Sequence, residues 1–112
     1  MQIHKWHVYL ADLNPRRGTE PGKVRPVVVV QTDLLNGVHP STVVCPLTTN
    51  VRPKARLIRV HLRAGEAGLT HPSDVMVDQL RAIDNRRFMQ ELGQLNLGSR
   101  RRLANNMRLL LS

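Results

Sequence analysis

Aromatic side chains are nearly absent: Trp6, Tyr9 and Phe88 are the three in 112 residues. Single-stranded bases stack on such rings, so a base-stacking platform is an unpromising reading. Cysteine is represented by Cys45 alone, which excludes an intramolecular disulfide and any zinc site built on a cysteine pair. The apolar neighbours of Cys45 would bury it, which argues against a thiol nucleophile. No apolar run reaches the roughly 18 residues needed to cross a bilayer, and the N-terminus lacks the apolar stretch of a secretory leader. These absences point away from membranes and towards a reducing, cytoplasmic setting. Acidic residues are scarce as well, 8 against 17 lysines and arginines, for a formal net charge of +9.

That basic excess is carried mainly by arginine, 14 of the 17. Arginine offers a planar fork of donors that matches a phosphate, and a charge that persists at any physiological pH. A chain this basic is suited to a polyanion, most simply nucleic acid. The length fits one domain, 1–112, around one hydrophobic core. The five histidines, His4, His7, His39, His61 and His71, show none of the spacings that mark metal sites. They read as surface or loop residues, with His61 facing outwards on a strand.

The stretch from Arg25 to Thr48 organises the rest. Arg25-Pro-Val-Val-Val-Val opens one β-branched run, and Thr-Val-Val-Cys-Pro-Leu-Thr closes the next. Asn36-Gly37 and Pro40 separate them, so they read as neighbouring strands. Four consecutive valines, Val27 to Val30, predict a strand covered on both faces. Ahead of them, residues 6–11 alternate as a half-buried strand with Trp6, Val8 and Leu10 on one side. Residues 12–24 form a long, mobile loop rich in Gly, Pro and charge.

After Thr48 comes a second basic loop with Arg52 and Lys54. A strand over 57–62 follows, with Ile58, Val60 and Leu62 sharing a face and Arg59 and His61 the other. Residues 74–81 predict a fifth strand carrying Asp78 and Gln79. Asp84 is placed to cap a short helical turn through Arg87, and 89–95 add a last short strand. The end is helical, with Ser99 as N-cap and Leu103, Met107, Leu110 and Leu111 on one face. Arg100, Arg101 and Arg102 then fill the first turn, where cations oppose the helix dipole. The outline is mainly β with a C-terminal helix, a small barrel with the helix packed on it.

Four blocks in register, 10–20, 24–33, 42–50 and 78–84, resemble the MazF/PemK toxins of bacterial toxin–antitoxin pairs, and the likeness covers almost the whole chain. The resemblance implies an SH3-like β-barrel of the CcdB/PemK toxin type, a homodimer, and an acidic antitoxin partner. It further implies sequence-specific cleavage of single-stranded RNA with neither metal nor cofactor. Some members carry an arginine two residues before the aspartate of the Asp-Gln pair; here that position is Met76.

On the matching positions, Arg25 would stabilise the charge that develops on phosphorus when the RNA 2′-hydroxyl attacks. Thr48 would donate its hydroxyl to a phosphoryl oxygen. Glu20 and Asp78 are the carboxylates available to take a proton or to orient Arg25, with Gln79 reading a base edge or holding backbone. Arg16, Arg17, Lys23, Arg52 and Lys54 would bind the RNA strand. Two rival readings are a basic barrel that binds nucleic acid without cutting it, and a CcdB-like toxin that binds DNA gyrase. The Arg-Pro and Thr-x-Asn corners favour the nuclease.

Overall fold

The computed structural model describes residues 1–15, 18–20 and 22–112. The expected RNA contacts Arg16 and Arg17 lie outside the described residues. The elements are β1 His7–Asp12, β2 Val24–Val29, β3 Ser41–Thr48, β4 Arg59–Leu62, β5 Ser73–Met76, β6 Arg81–Asp84, β7 Phe88–Gln94 and α1 Leu97–Leu110. All strand pairs among the described residues are antiparallel. The order is β4-β5-β3-β2-β1-β7, with β6 beside β3.

The expected barrel is not closed: among the described residues, β4 and β7 end the sheet without pairing. Between them the chain uses close packing instead of a ladder. The turn that follows β4 carries Gly68 at φ +73°, and a Cβ there would lie 2.1 Å from the Leu92 carbonyl oxygen of β7. Only a residue without a side chain fits both the backbone angle and the close approach.

All four central valines are buried, and they divide by parity. Val28 and Val30 join Val8, Cys45, Leu47, Val60 and Leu103 in the larger cluster. Val27 and Val29 join Tyr9, Ala11, Val44 and Ile83 in a smaller one on the opposite face. Strand β1 is therefore not half buried as expected: Val8, Tyr9 and Ala11 are all fully buried.

The predicted fifth strand over 74–81 is in fact two strands broken by a 3₁₀ turn, Val77–Gln79. Pairing explains the break. Thr48 faces Asp74 and Val44 faces Arg81, so four steps along β3 (48 − 44) answer seven along its partner (81 − 74). The three surplus residues loop out as the turn, held where the Val77 N–H donates to the Ile58 carbonyl at 2.9 Å. Strand β4 is shorter than expected, and Ile58 is exposed rather than sharing the buried face of Val60 and Leu62. Asp84 caps the turn Asn85–Arg87 as expected, accepting from the Arg86 N–H at 2.8 Å.

The helix begins earlier than expected. Asn96, not Ser99, is the N-cap; its Oδ1 accepts the Ser99 N–H at 2.8 Å. Ser99 is the third helical residue and is buried. Arg100 to Arg102 consequently fall past the first turn, where the dipole penalty has weakened. Arg100 donates to the Leu95 carbonyl and to Gln94 Oε1, at 2.8 and 2.7 Å, and so ties the helix to the end of β7. Leu103 is buried and Met107 packs on the core, while Leu110 and Leu111 remain exposed.

Candidate active site

Arg25 is the second residue of β2, and the segment before it is clamped. The Leu13 N–H donates to the Lys23 carbonyl at 3.0 Å, and the Lys23 N–H donates to Asn14 Oδ1 at 2.6 Å. From that base the half-buried Arg25 side chain donates through Nε to the Gly22 carbonyl and through Nη1 to the Leu47 carbonyl, both at 3.2 Å. The guanidinium is thus held by two carbonyls from different elements.

Thr48 closes β3. The β2–β3 register pairs Val27 with Pro46 and Val28 with Cys45; continued by two residues it sets Arg25 across from Thr48. By the period of two along a strand, Thr48 shares its face with Val44, and Arg25 with Val27 and Val29. Its Oγ1 accepts the Asn50 N–H at 3.2 Å, an arrangement that leaves the hydroxyl proton available to another acceptor.

Arg25 and Thr48 line one cleft of about 190 Å³ together with Lys23, Thr49 and Ser73. On its other side Arg25 lines an adjoining cleft of about 490 Å³ with Asn14, Thr19, Met76 and Gln79. Gln79 reaches this site because the three-residue surplus of β5–β6 projects it there. The structure therefore brings together Arg25, Thr48, Gln79 and Lys23.

The two expected carboxylates do not join them. Asp78 is exposed on the 3₁₀ turn, not on a strand as expected, and Glu20 is half-buried in the loop before β2. Neither is among the described residues that line either cleft. Arg52 and Lys54 are exposed on the loop after β3. Cys45 is enclosed by apolar neighbours, and burial pushes its thiol up to about 12. Tyr9 is likewise pushed up to about 12 by burial; its hydroxyl accepts the His4 N–H at 2.8 Å and donates to the Gln2 carbonyl at 3.0 Å.

A buried ionic cluster next to this site escapes the sequence reading. Asp74 on β5 is fully buried and sits between Thr48 and His61 in the strand register. Its carboxylate meets His61 Nδ1 at 2.6 Å and accepts from Arg59 Nη1 at 3.1 Å and from the Arg52 N–H at 2.8 Å. Arg59 Nη1 also donates to the Asn50 carbonyl at 3.2 Å. The loop after β3 is therefore anchored from beneath by Asp74 and Arg59. His61 is no free surface histidine, contrary to the expectation. The available signal was the polar face of β4, Arg59 and His61 alternating with Val60 and Leu62; nothing in sequence pairs that face with Asp74.

The fold and the site define a small, strongly basic, mainly β protein with an arginine and a threonine side by side in a cleft at one end of its central strands. Residues 4–111 match the family of PemK-like, MazF-like toxins of type II toxin–antitoxin systems, and the chain belongs to that family. Endoribonuclease EndoA of Bacillus subtilis is 32% identical over 96 residues, spanning 86% of this chain and 83% of that protein. A crystal structure of MazF from Deinococcus radiodurans matches with a TM-score of 0.84 at 26% identity, covering 99% of this chain and 97% of that one. The MazE–MazF structure from the same organism (Form-II) matches at 0.74 and 27% identity, covering 95% and 92%.

Proposed function

We propose that this toxin is a sequence-specific endoribonuclease that cleaves single-stranded RNA, messenger RNA above all, and so inhibits translation and growth. One observation carries the reading: Arg25 and Thr48 line one cleft, with the arginine already braced by two carbonyls. The RNA 2′-hydroxyl attacks the adjacent phosphorus, the bond to the 5′ oxygen breaks, and a 2′,3′-cyclic phosphate and a 5′-hydroxyl result. The guanidinium supplies the positive charge that the phosphorane requires, in a fixed position and without reorganisation. The Thr48 hydroxyl donates to a phosphoryl oxygen. A guanidinium stays protonated at any physiological pH and is a poor general base, so the role of Arg25 is electrostatic. Glu20 or Asp78 takes the 2′-hydroxyl proton after closure of the segment that carries it, and the departing 5′ oxygen is protonated in turn by that carboxylic acid or by water. Because arginine provides the charge, the reaction needs neither metal nor cofactor.

Lys23 lines the site, Arg52 and Lys54 are on the loop that follows Thr48, and with Arg16 and Arg17 they bind the strand in this reading. The partner that restrains the toxin is an acidic antitoxin laid along the groove beside residues 12–24, where it competes with RNA for Arg25. A homodimer is supported by the apolar side chains left exposed at Leu57, Ile58, Leu110 and Leu111. Leu57 and Ile58 follow Arg56, whose carbonyl accepts from Asn106 of α1 at 3.0 Å.

The experiment is digestion of a long unstructured RNA with and without chelator, with sequencing of the ends. Cleavage at a recurrent motif, unaffected by chelator and leaving cyclic or 3′-phosphate ends, is expected. Cleavage of a substrate with a 2′-deoxy sugar at the cut position would refute the mechanism.

A further inference from the structure

Strand β5 is an unexpected place for a charge. All four of its residues, Ser73–Met76, are buried, and Asp74 is fully so. A carboxylate taken out of water is costly, and a buried ion pair is often no more stable than apolar side chains of the same volume. Nor is the cluster around Asp74 closed on itself. Arg59 Nε and His61 Nε2 are enclosed and have no hydrogen-bond partner among the described residues. A partly satisfied network of this kind is worse for stability than an apolar core. Stability therefore does not account for Asp74.

Its bonds lead to Thr48. The two residues face each other in the β3–β5 register, yet no direct hydrogen bond joins them among the described residues. The connection runs through the loop that leaves β3, where three successive peptide units are pinned in series. The unit joining residues 51 and 52 donates its N–H, that of Arg52, to Asp74 Oδ2 at 2.8 Å. The unit joining 50 and 51 accepts at the Asn50 carbonyl from Arg59 Nη1 at 3.2 Å, and the same nitrogen donates to Asp74 Oδ2 at 3.1 Å. Its N–H, that of Val51, donates to the Thr49 carbonyl at 3.0 Å. That carbonyl belongs to the unit joining 49 and 50, whose N–H, that of Asn50, donates to Thr48 Oγ1 at 3.2 Å.

The loop has little else to hold it. Thr49, Asn50 and Arg52 are exposed, and an exposed segment with few apolar anchors opens at low cost. Asp74 and Arg59 supply the attachment that the loop's own side chains lack. His61 steadies the carboxylate from its other oxygen, Nδ1 to Oδ1 at 2.6 Å.

We infer that Asp74 is a positioning residue of the cleavage reaction: through Arg59 and the backbone of residues 50–52 it fixes the Asn50 N–H, and with it the direction in which Thr48 presents its hydroxyl. The inference rests on the nuclease reading above. With one lone pair of Oγ1 held by the Asn50 N–H, the Thr48 side chain keeps one torsion, and its proton stays available to a phosphoryl oxygen. A group displaced by about 1 Å can forfeit about 10²-fold in rate, even when the change that displaces it is remote from the chemistry. Asp74 touches neither substrate nor reacting atoms, and it acts on them only through Thr48.

The test is a double-mutant cycle read in single-turnover cleavage of RNA at saturating enzyme, alongside thermal melts. Asp74→Ala removes the carboxylate end of the series, and it should slow cleavage by about 10- to 10²-fold in the parent. In a Thr48→Val background the same substitution should cost less than about two-fold, because the group it positions is already gone. Asp74→Asn separates placement from stability. Its amide oxygen can take the Oδ2 position and accept from both the Arg52 N–H and Arg59, while the buried guanidinium loses its countercharge. The melt should therefore fall while the rate stays close to that of the parent. If Asp74→Ala does not fold, Arg59→Met enters the same cycle, since it cuts the link to the Asn50 carbonyl and leaves Asp74 in place. Equal losses with and without the Thr48 hydroxyl would overturn the inference, as would an unchanged rate in Asp74→Ala or a rate that simply follows the melt across the variants. A parent that cleaves no RNA would refute the nuclease reading and this inference with it, whereas a cleaving parent with additive losses refutes the inference alone.

Discussion

Replacing Thr48 by valine exchanges one hydroxyl for a methyl group at nearly constant volume. In the folded protein that hydroxyl accepts a hydrogen bond from the Asn50 N–H at 3.2 Å. Asn50 is exposed, so water can take the donor over, and the loss of stability should not exceed about 0.5–1.5 kcal/mol. For a domain with about 5–15 kcal/mol of stability, roughly 99% or more of the molecules stay folded. Catalysis should suffer far more. Removing one preorganised donor from a developing oxyanion costs about 10²–10³ in rate, or about 2.7–4 kcal/mol. The assay is single-turnover cleavage with enzyme in excess, which reads the chemical step, alongside a thermal melt. Thr48→Val should lose about two to three orders of magnitude in rate with an almost unchanged melt, and Thr48→Ser should regain most of the rate. Thr49, in the same cleft, supplies the internal control. If Thr48→Val cleaves like the parent while Thr49→Val is inactive, the donor has been assigned to the wrong threonine.

Arg25→Ala should abolish cleavage, and Arg25→Lys should recover little, because an ammonium cannot reach the Gly22 and Leu47 carbonyls and a phosphate with one planar fork; parental activity in either, measured on RNA, ends the electrostatic assignment. Cys45, with its thiol pushed up to about 12 by burial, should resist alkylation in the native protein and react fully in denaturant; mass spectrometry showing native labelling would contradict the packing. Hydrogen bonds from the Arg86 side chain and backbone hold the Asp84 carboxyl down to about 2. A depressed folded-state value stabilises above the unfolded value near 4, and that stabilisation disappears as pH falls towards 2. Arg86→Ala should therefore move the Asp84 titration upwards in an NMR pH series; no movement would exclude the pairing. An antitoxin's acidic segment and uncleavable RNA should compete for the toxin, and simultaneous binding at undiminished affinity would place inhibition at a remote site.

Much of the fold was legible because the strongest signals are local. Four successive valines announce a strand buried on both faces, and all four are buried, two to each side. Asp84 and the turn behind it follow from capping chemistry alone. The errors arise where pairing overrides local pattern. Residues 74–81 read as one strand, yet β3 pairs with 74–75 and 81–84 in registers that differ by three residues, and the surplus must loop out. No periodicity within 74–81 contains that information, because it is a property of β3. Barrel closure failed for a similar reason: whether two edges meet depends on the approach of Gly68 to Leu92, which lie in different elements and meet only in the folded chain. At the helix start, Asn96 and Ser99 are both competent caps, and Asn96 prevails because its side chain accepts the Ser99 N–H.

The site divides along the same line. Arg25 and Thr48 stand at the ends of strands whose apolar cores set the register, so the strands that position them are visible in sequence even though their meeting is not. Gln79 depends on the looped-out surplus, and only the structure explains why a residue after an apolar strand turns towards Arg25. Asp74, Arg59 and His61 were the least legible of all. Each is ordinary within its own segment, and their significance comes from a row of facing residues that crosses three strands. A buried carboxylate with three donors is costly to assemble unless its partners are well placed, and here the partners include the backbone of the loop bordering Thr48. The same carboxylate thus holds that loop directly through the Arg52 N–H and a second time through Arg59, whose fork reaches the Asn50 carbonyl. Losing it should disturb the loop at both points, whereas loss of Arg59 should disturb it at one.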